Sequence, residues 1–77
     1  MIIKEKKYLG NAVKKGEKSR AIAEIYVDDA AELPAYDSNK DFDLVQGSVA
    51  YAVKSGELYI MGSDGKWYDT SGTVAKE

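Results

Sequence analysis

The residues of this 77-residue chain whose types and spacing could do chemistry begin with a run of carboxylates. Asp37-x-Asn39-x-Asp41 copies the first three ligand positions of a calcium-binding loop. The match ends there, because Phe42 stands at the sixth position, where glycine is required, and Ser48 at the twelfth, where glutamate is required. The pattern therefore favours an acidic surface loop, and we predict no metal ligands.

Catalytic groups are scarce in the sequence. The chain has no histidine and no cysteine, so the commonest general base and the best nucleophile are both missing. Asp41 and Asp43 lie two residues apart, but nothing fixes a partner acid for a carboxylate pair of the hydrolase type. The glycine spacings match neither a phosphate-binding loop nor a dinucleotide fingerprint. We predict that the protein is not an enzyme, with no catalytic residue and no cofactor.

Aromatic residues offer a second kind of site. Trp67, Tyr68 and Tyr59 could form a stacking platform for sugars or bases. Large rings belong more often to a core or an interface, because they bury the most area per residue. The glycan interpretation requires an exposed Trp67, whereas the strand register derived below buries it.

Charge is divided unevenly along the chain. Residues 1–20 carry seven basic and two acidic residues, a net charge of +5, whereas residues 21–77 carry four and eleven, a net charge of −7. A basic arm can bind nucleic acid. We favour an arm that lies on acidic residues of its own chain or of a neighbouring copy, because the acidic body would repel phosphate. The basic residues expected to meet a neighbour's acids are Lys14, Lys15, Lys18 and Arg20.

Residues 47–69 are the elements that must position the aromatic side chains. Their apolar residues alternate on both sides of Ser55-Gly56 and of Asp64-Gly65, two dipeptides suited to tight hairpin turns. The pattern predicts a three-stranded antiparallel meander over about 48–54, 57–62 and 66–70.

Two-residue loops at both turns would pair Tyr51 with Ile60 and Met61 with Tyr68. The predicted core face carries Val49, Tyr51, Val53, Leu58, Ile60 and Trp67. The opposite face carries Ala50, Ala52, Lys54, Glu57, Tyr59, Met61, Tyr68 and Thr70. This second face is more apolar than a solvated surface needs, so the strand at 21–27, the N-terminal arm or another subunit must cover it. We predict that Tyr59, Met61 and Tyr68 contact another subunit.

The remaining elements are shorter. Alternation over 21–27 favours a strand, although its alanines would also suit a helix. Residues 28–33 can form one aspartate-capped helical turn, and residues 34–46 a polar loop anchored by Phe42 and Leu44. We predict an all-β fold, a small antiparallel meander of three to five strands with room for that helical turn. Its parts are a basic arm (1–20), ordered only in part and with a short strand at 11–15, one β domain (21–72) and a C-terminal tail (73–77).

A domain this small has a marginal core, worth roughly 3–5 kcal/mol. With no disulfide and no zinc ligands to reinforce it, oligomerisation is the common remedy. No apolar run approaches the length of a membrane span, and the first residues begin no signal-peptide core. We expect a soluble protein, made without export and without a membrane partner.

The order of several short motifs resembles a group of short structural proteins encoded by tailed bacteriophages and prophages. The motifs are Glu32-Leu33-Pro34, Gly47-Ser48-Val49-Ala50-Tyr51, Gly56-Glu57-Leu58-Tyr59 and Asp64-Gly65-Lys66-Trp67-Tyr68. They span about half the chain, each is common in small meanders, and the order and spacing carry the resemblance.

That resemblance implies a virion-associated or assembly protein without catalysis, located in the virion or in the cytoplasm of the bacterial host. Its partners would be copies of itself, with a trimer favoured, and other phage structural proteins. The alternatives are a binding module for glycan or nucleic acid and an accessory protein that regulates a partner. Binding of nucleic acid by the first twenty residues would depend steeply on salt.

Overall fold

The structure is a computed structural model, and it describes residues 2–8 and 19–76. Lys14, Lys15, Lys18 and the short strand predicted at 11–15 lie outside these residues. The described residues contain seven β-strands and one 3₁₀ helix. They are β1 (Ile2–Tyr8), β2 (Ser19–Val27), the 3₁₀ helix (Ala30–Glu32), β3 (Phe42–Leu44), β4 (Val49–Ala52), β5 (Glu57–Met61), β6 (Trp67–Asp69) and β7 (Val74–Lys76).

All the strands belong to one mixed sheet with the order β1-β2-β4-β5-β6-β7, and β3 also pairs with β2. The predicted all-β class is confirmed. The predicted three to five antiparallel strands are corrected to seven strands in a sheet that also contains parallel pairs. β2 runs parallel to both β3 and β4. Parallel neighbours need a long crossover, and residues 28–41 provide it by carrying the chain back to the start of β2.

β1 is a strand within the segment predicted as a partly ordered arm. It pairs antiparallel with β2, and the register shifts between Ile3 and Glu5. The shift is a β-bulge or similar irregularity, which interrupts the alternation of side chains along a strand. That interruption explains why the apolar residues of this segment show no constant period in the sequence.

The core lies between one face of the sheet and the crossover. The odd-numbered residues 21–27 of β2 point into it, and Phe42 and Leu44 are buried anchors, as predicted. Leu33 and Trp67 are also buried there, and the Trp67 indole Nε1–H donates to the Pro34 carbonyl at 2.7 Å. The predicted helical turn exists, but Asp29 makes no side-chain capping bond.

The predicted faces of the meander are inverted. Residues 53–56 form a four-residue turn, so Tyr51 pairs with Leu58 and Val49 with Ile60. The pairing differs from the predicted one by two residues, so the residues of β4 and β5 that were predicted to share a face still share it. The crossover, however, covers the face that was predicted to be open. Ala50, Ala52, Tyr59 and Met61 are therefore buried, and Tyr51, Val53, Leu58 and Ile60 are exposed.

The second hairpin differs by one residue. Trp67 pairs with Met61, the partner predicted for Tyr68, and Tyr68 pairs with Ile60. A shift of one residue exchanges the faces of a strand. Trp67 is therefore buried as predicted, but it joins Met61 in the core and leaves Tyr68 on the opposite face.

Ser48 closes a gap in the sheet. β3 pairs with β2 over residues 19–21 and β4 pairs over residues 24–27, which interrupts the ladder near Ala23. The Ala23 N–H donates instead to the Ser48 hydroxyl oxygen at 3.1 Å, and Ser48 is completely buried. A buried amide without a partner would be costly, so this hydroxyl allows two short strands to share one edge of β2.

Candidate functional site: the open face of the sheet

The face of the sheet opposite the crossover carries two rows of apolar side chains, and we call it the open face. Strand pairing aligns the rows, because residues directly opposite each other point to the same side. The first row consists of Ile2, Tyr26, Tyr51 and Leu58. The second row consists of Val49, Ile60, Tyr68 and Val74, and Glu24 of β2 lies at its end, opposite Val49.

β5 shows how the sequence builds this face. Tyr59 and Met61 point into the core, and the intervening Leu58 and Ile60 remain 40% and 43% exposed. A sheet with one solvated face normally alternates apolar and polar residues. Here the outward positions are apolar too, so the strand is suited to burial on both sides.

A tyrosine pair lies near the middle of the open face. The rings of Tyr26 and Tyr51 meet edge to face, with centroids 6.2 Å apart and an interplanar angle of 73°. Beside them lies a cavity of about 260 Å³, lined by Glu24, Ile25, Tyr26, Val49, Ala50, Tyr51 and Leu58. Most of these walls are apolar, so the cavity is suited to an apolar side chain.

The charged residues of β1 and β2 that border the apolar rows balance one another. The Lys4 ammonium lies 3.4 Å from a Glu24 carboxylate oxygen. This hydrogen bond and the opposite charge raise the pKa of Lys4. Glu5 and Lys7 are the other two bordering charges on β1, so the group of four has no net charge.

The edges of the sheet are less suited to association than its open face. β1 presents three lysines and a register irregularity, and β7 has only three residues. Lysines, bulges and short strands are features that natural proteins use to prevent pairing between sheet edges.

The structure separates the residues predicted for the interface. Tyr59 is 7% exposed and Met61 is fully buried, so neither is available for contact between subunits. Tyr68 does lie on the open face, where its hydroxyl donates to Asp64. That bond is the largest of the effects that hold the pKa of Asp64 below its ordinary value, and the Lys66 N–H adds to it.

Arg20 is exposed at the start of β2 and is far along the strand from the tyrosine pair. It lines a separate open depression of about 500 Å³, together with Tyr36, Asp43, Asp64 and other residues. Two of the arm's three described lysines contact their own chain, since Lys4 pairs with Glu24 and the Lys6 ammonium lies 5.0 Å from the centre of the Phe42 ring.

The sequence did not identify Tyr26, Tyr51, Leu58 and Ile60 as surface residues. A usable signal was present, because the outward and inward positions of β4 and β5 are both apolar. Such a pattern indicates two buried faces but does not say which one the chain covers itself.

The aromatic platform, which the sequence left open as an alternative, does not form. Trp67 is 1% exposed, so it cannot stack on a sugar with Tyr59 and Tyr68. The Asn39 side-chain oxygen of the calcium-like loop accepts the Asp41 N–H at 2.8 Å. Within residues 2–8 and 19–76, no three potential metal ligands cluster, and no helix is long and apolar enough to span a membrane.

No family model matches this chain, and comparison with curated proteins and with solved structures also finds no match. The evidence for function is therefore the geometry of the open face.

Proposed function

We propose that this protein is a non-enzymatic structural subunit that self-associates through the open face, and that it serves as a component of a tailed-phage or prophage particle. The observation that carries the self-association is the exposure of Tyr51, Leu58 and Ile60 together on one side of a sheet whose other side is already covered. Contiguous apolar surface of this kind is typical of interaction sites. The motif resemblance supports the particle as the setting.

The area of the open face suits a second copy. The backbone extends over 40 × 22 × 16 Å, so its broad side measures 40 × 22 Å, or about 880 Å². A standard protein interface buries about 800 Å² on each partner. A copy of this chain can therefore cover the face almost completely, and the added burial would reinforce a core that is small for an independent domain.

Charge also favours contact between open faces. The crossover, residues 28–41, carries five acidic residues and one lysine, a net charge of −4, so two crossovers would repel each other. The four bordering charges on β1 and β2 cancel, and the Lys4–Glu24 pair is already formed within each chain. Two open faces can thus meet without leaving Glu24, the charge beside the tyrosine pair, unpaired.

The experiment is light scattering of the native protein over a range of protein and salt concentrations, with Leu58→Glu as the test variant. We expect the wild type to form a defined oligomer, and the variant to be a folded monomer at the same concentrations. A carboxylate at the centre of an apolar contact would have to be desolvated without a partner. Because the contact is apolar, high salt should not dissociate the wild type.

Ala35→Glu is the matched control, since it adds the same charge at an exposed position of the crossover. This variant should associate like the wild type, and circular dichroism should show that both variants are folded. A wild type that is monomeric at every concentration, or a Leu58→Glu variant that associates normally, would contradict the proposal.

A further inference from the structure

We infer that the cavity beside the tyrosine pair receives the Ile60 side chain of a second copy, while that copy's own cavity receives Ile60 of the first. The inference rests on the proposed function and specifies how the two open faces meet. It adds a particular contact, a symmetry and a subunit count that self-association alone does not require.

The cavity needs an apolar side chain from outside its own chain. Its volume is about 260 Å³, and the apolar side chains that line it on the open face are those of Tyr26, Val49, Tyr51 and Leu58. Ile25 and Ala50 also line it, but their side chains are buried in the core on the other face. Glu24 lies at the rim. Glu24 is bonded to Lys4 and brings no unpaired charge to the contact. The strongest contacts of protein interfaces form where a side chain fills a central pocket and excludes water from it.

Ile60 is the best candidate among the exposed large apolar residues of the described chain. Ile2 and Val74 lie on the edge strands, Val53 lies in a turn and Tyr36 lies in the crossover. Tyr51 and Leu58 themselves form walls of the cavity. Ile60 is 43% exposed on the central strand β5, directly opposite Val49 of the cavity wall. The open face therefore presents a protruding side chain next to a cavity.

A surface that carries both the protruding side chain and the cavity can pair with itself. In a twofold contact, residue i of one copy touches residue j of the other, and j touches i in return. Two copies related in this way fill both cavities and leave neither Ile60 exposed. The expected unit is a closed dimer, where the sequence had favoured a trimer.

The absence of cysteine from the chain allows a direct test by disulfide trapping. The variants Glu24→Cys and Ile60→Cys are prepared separately, and each is oxidised alone and as an equal mixture. A disulfide requires Cα atoms about 4.4–6.8 Å apart. We expect the mixture to form covalent dimers at least about tenfold faster than either variant alone, because only the mixture places one cysteine at the other chain's cavity rim.

Val74→Cys is the matched control for Ile60→Cys, because Val74 is 40% exposed in the same row but lies on the edge strand β7. Mixed with Glu24→Cys, it should form few covalent dimers. A second readout is the dimer dissociation constant, which Ile60→Ala should raise by about tenfold or more and Val74→Ala by less than about threefold.

The outcomes separate this inference from the proposed function. A dimer that crosslinks Glu24→Cys with Ile60→Cys supports both. An oligomer in which the Val74→Cys mixture crosslinks equally well, or a stable trimer, overturns the twofold Ile60 contact and leaves self-association standing. A strict monomer overturns both.

Discussion

The two faces of this sheet are both apolar, but along β2 and β4 they differ in the size of the side chains that the strands present. The covered face carries four alanines, Ala21, Ala23, Ala50 and Ala52, whereas the open face carries Tyr26, Tyr51, Leu58 and Ile60. The alanines leave room for the large side chains of Leu33 in the crossover and of Phe42 and Trp67 in β3 and β6. On the open face the strands themselves carry the large side chains, so a second surface can pack directly against them.

This difference shows that burial of a sheet face depends on which other segments of the chain can pack against it. A strand face of small residues allows the covering segment to approach closely, and close packing is what makes an interior dense. Prediction from the meander alone assigned the core to the larger side chains, because the contribution of the crossover was not included.

The sharpest test of the comparison uses two neighbouring residues of β5 that point to opposite faces. Met61→Ala should lower the free energy of unfolding by about 2–5 kcal/mol, because it leaves a cavity in the core. This is comparable to the whole stability expected of so small a domain. Ile60→Ala should cost less than about 1 kcal/mol in the monomer. Urea unfolding followed by circular dichroism, at protein concentrations low enough to prevent association, measures both.

The reverse result, in which Ile60→Ala unfolds the monomer and Met61→Ala does not, would mean that the faces are assigned the wrong way round. The concentration matters, because self-association adds to the apparent stability of the folded state.

A smaller effect is expected at the point where the covered face depends on one hydroxyl. Ser48→Ala removes the acceptor of the Ala23 N–H, whose bond is buried. The unfolding free energy should fall by about 1–3 kcal/mol, the cost of leaving a buried donor without a partner. Hydrogen exchange of the Ala23 amide should accelerate more than that of the other β2 amides.

Ser63→Ala is the control for that variant, since Ser63 is exposed in the β5–β6 turn. It should change the stability by no more than about 0.5 kcal/mol. Equal losses from the two variants would show that the Ser48 hydroxyl has no particular role in joining β3 and β4.

The smallest effect concerns the β5–β6 and β6–β7 turns, where the Asp64 and Asp69 carboxylates accept hydrogen bonds. The pKa of Asp69 lies below its ordinary value of 3.8 because the Ser71 hydroxyl and the Thr73 N–H donate to its carboxylate. The pKa of Asp64 is lowered chiefly by the Tyr68 hydroxyl. Each folded-state pKa is below the unfolded value, so this stabilisation is complete above pH 3.8 and is lost as the pH falls through the folded-state pKa.

We therefore expect the urea concentration at the unfolding midpoint to decrease as the pH is lowered from about 5 to about 2. Asp69→Asn should be less stable than the wild type at neutral pH, and the difference should narrow at the acid end. Tyr68→Phe should raise the pKa of Asp64 in a carboxyl titration followed by NMR. A difference between Asp69→Asn and the wild type that is independent of pH would exclude this carboxylate as the cause.

The candidate site illustrates how far sequence reasoning reaches here. Alternation correctly grouped Tyr51, Leu58 and Ile60 on one face and Tyr59 with Met61 on the other. It also indicated that one of the two faces must be covered by something other than the meander. The choice between them was wrong, because alternation has the same period whichever face is covered.

The sequence by itself determined the all-β class, the strand at 21–27, the 3₁₀ turn, the anchors Phe42 and Leu44 and the approximate positions of both hairpins. These follow from local properties: side-chain alternation, turn residues and the placement of apolar residues between polar ones. Only the tertiary structure decided the parallel pairing of β2 with β3 and β4, the place of β1 at the edge and the identity of the open face. Each of these depends on where the crossover returns the chain, and contacts between residues so distant in sequence leave no local pattern to read.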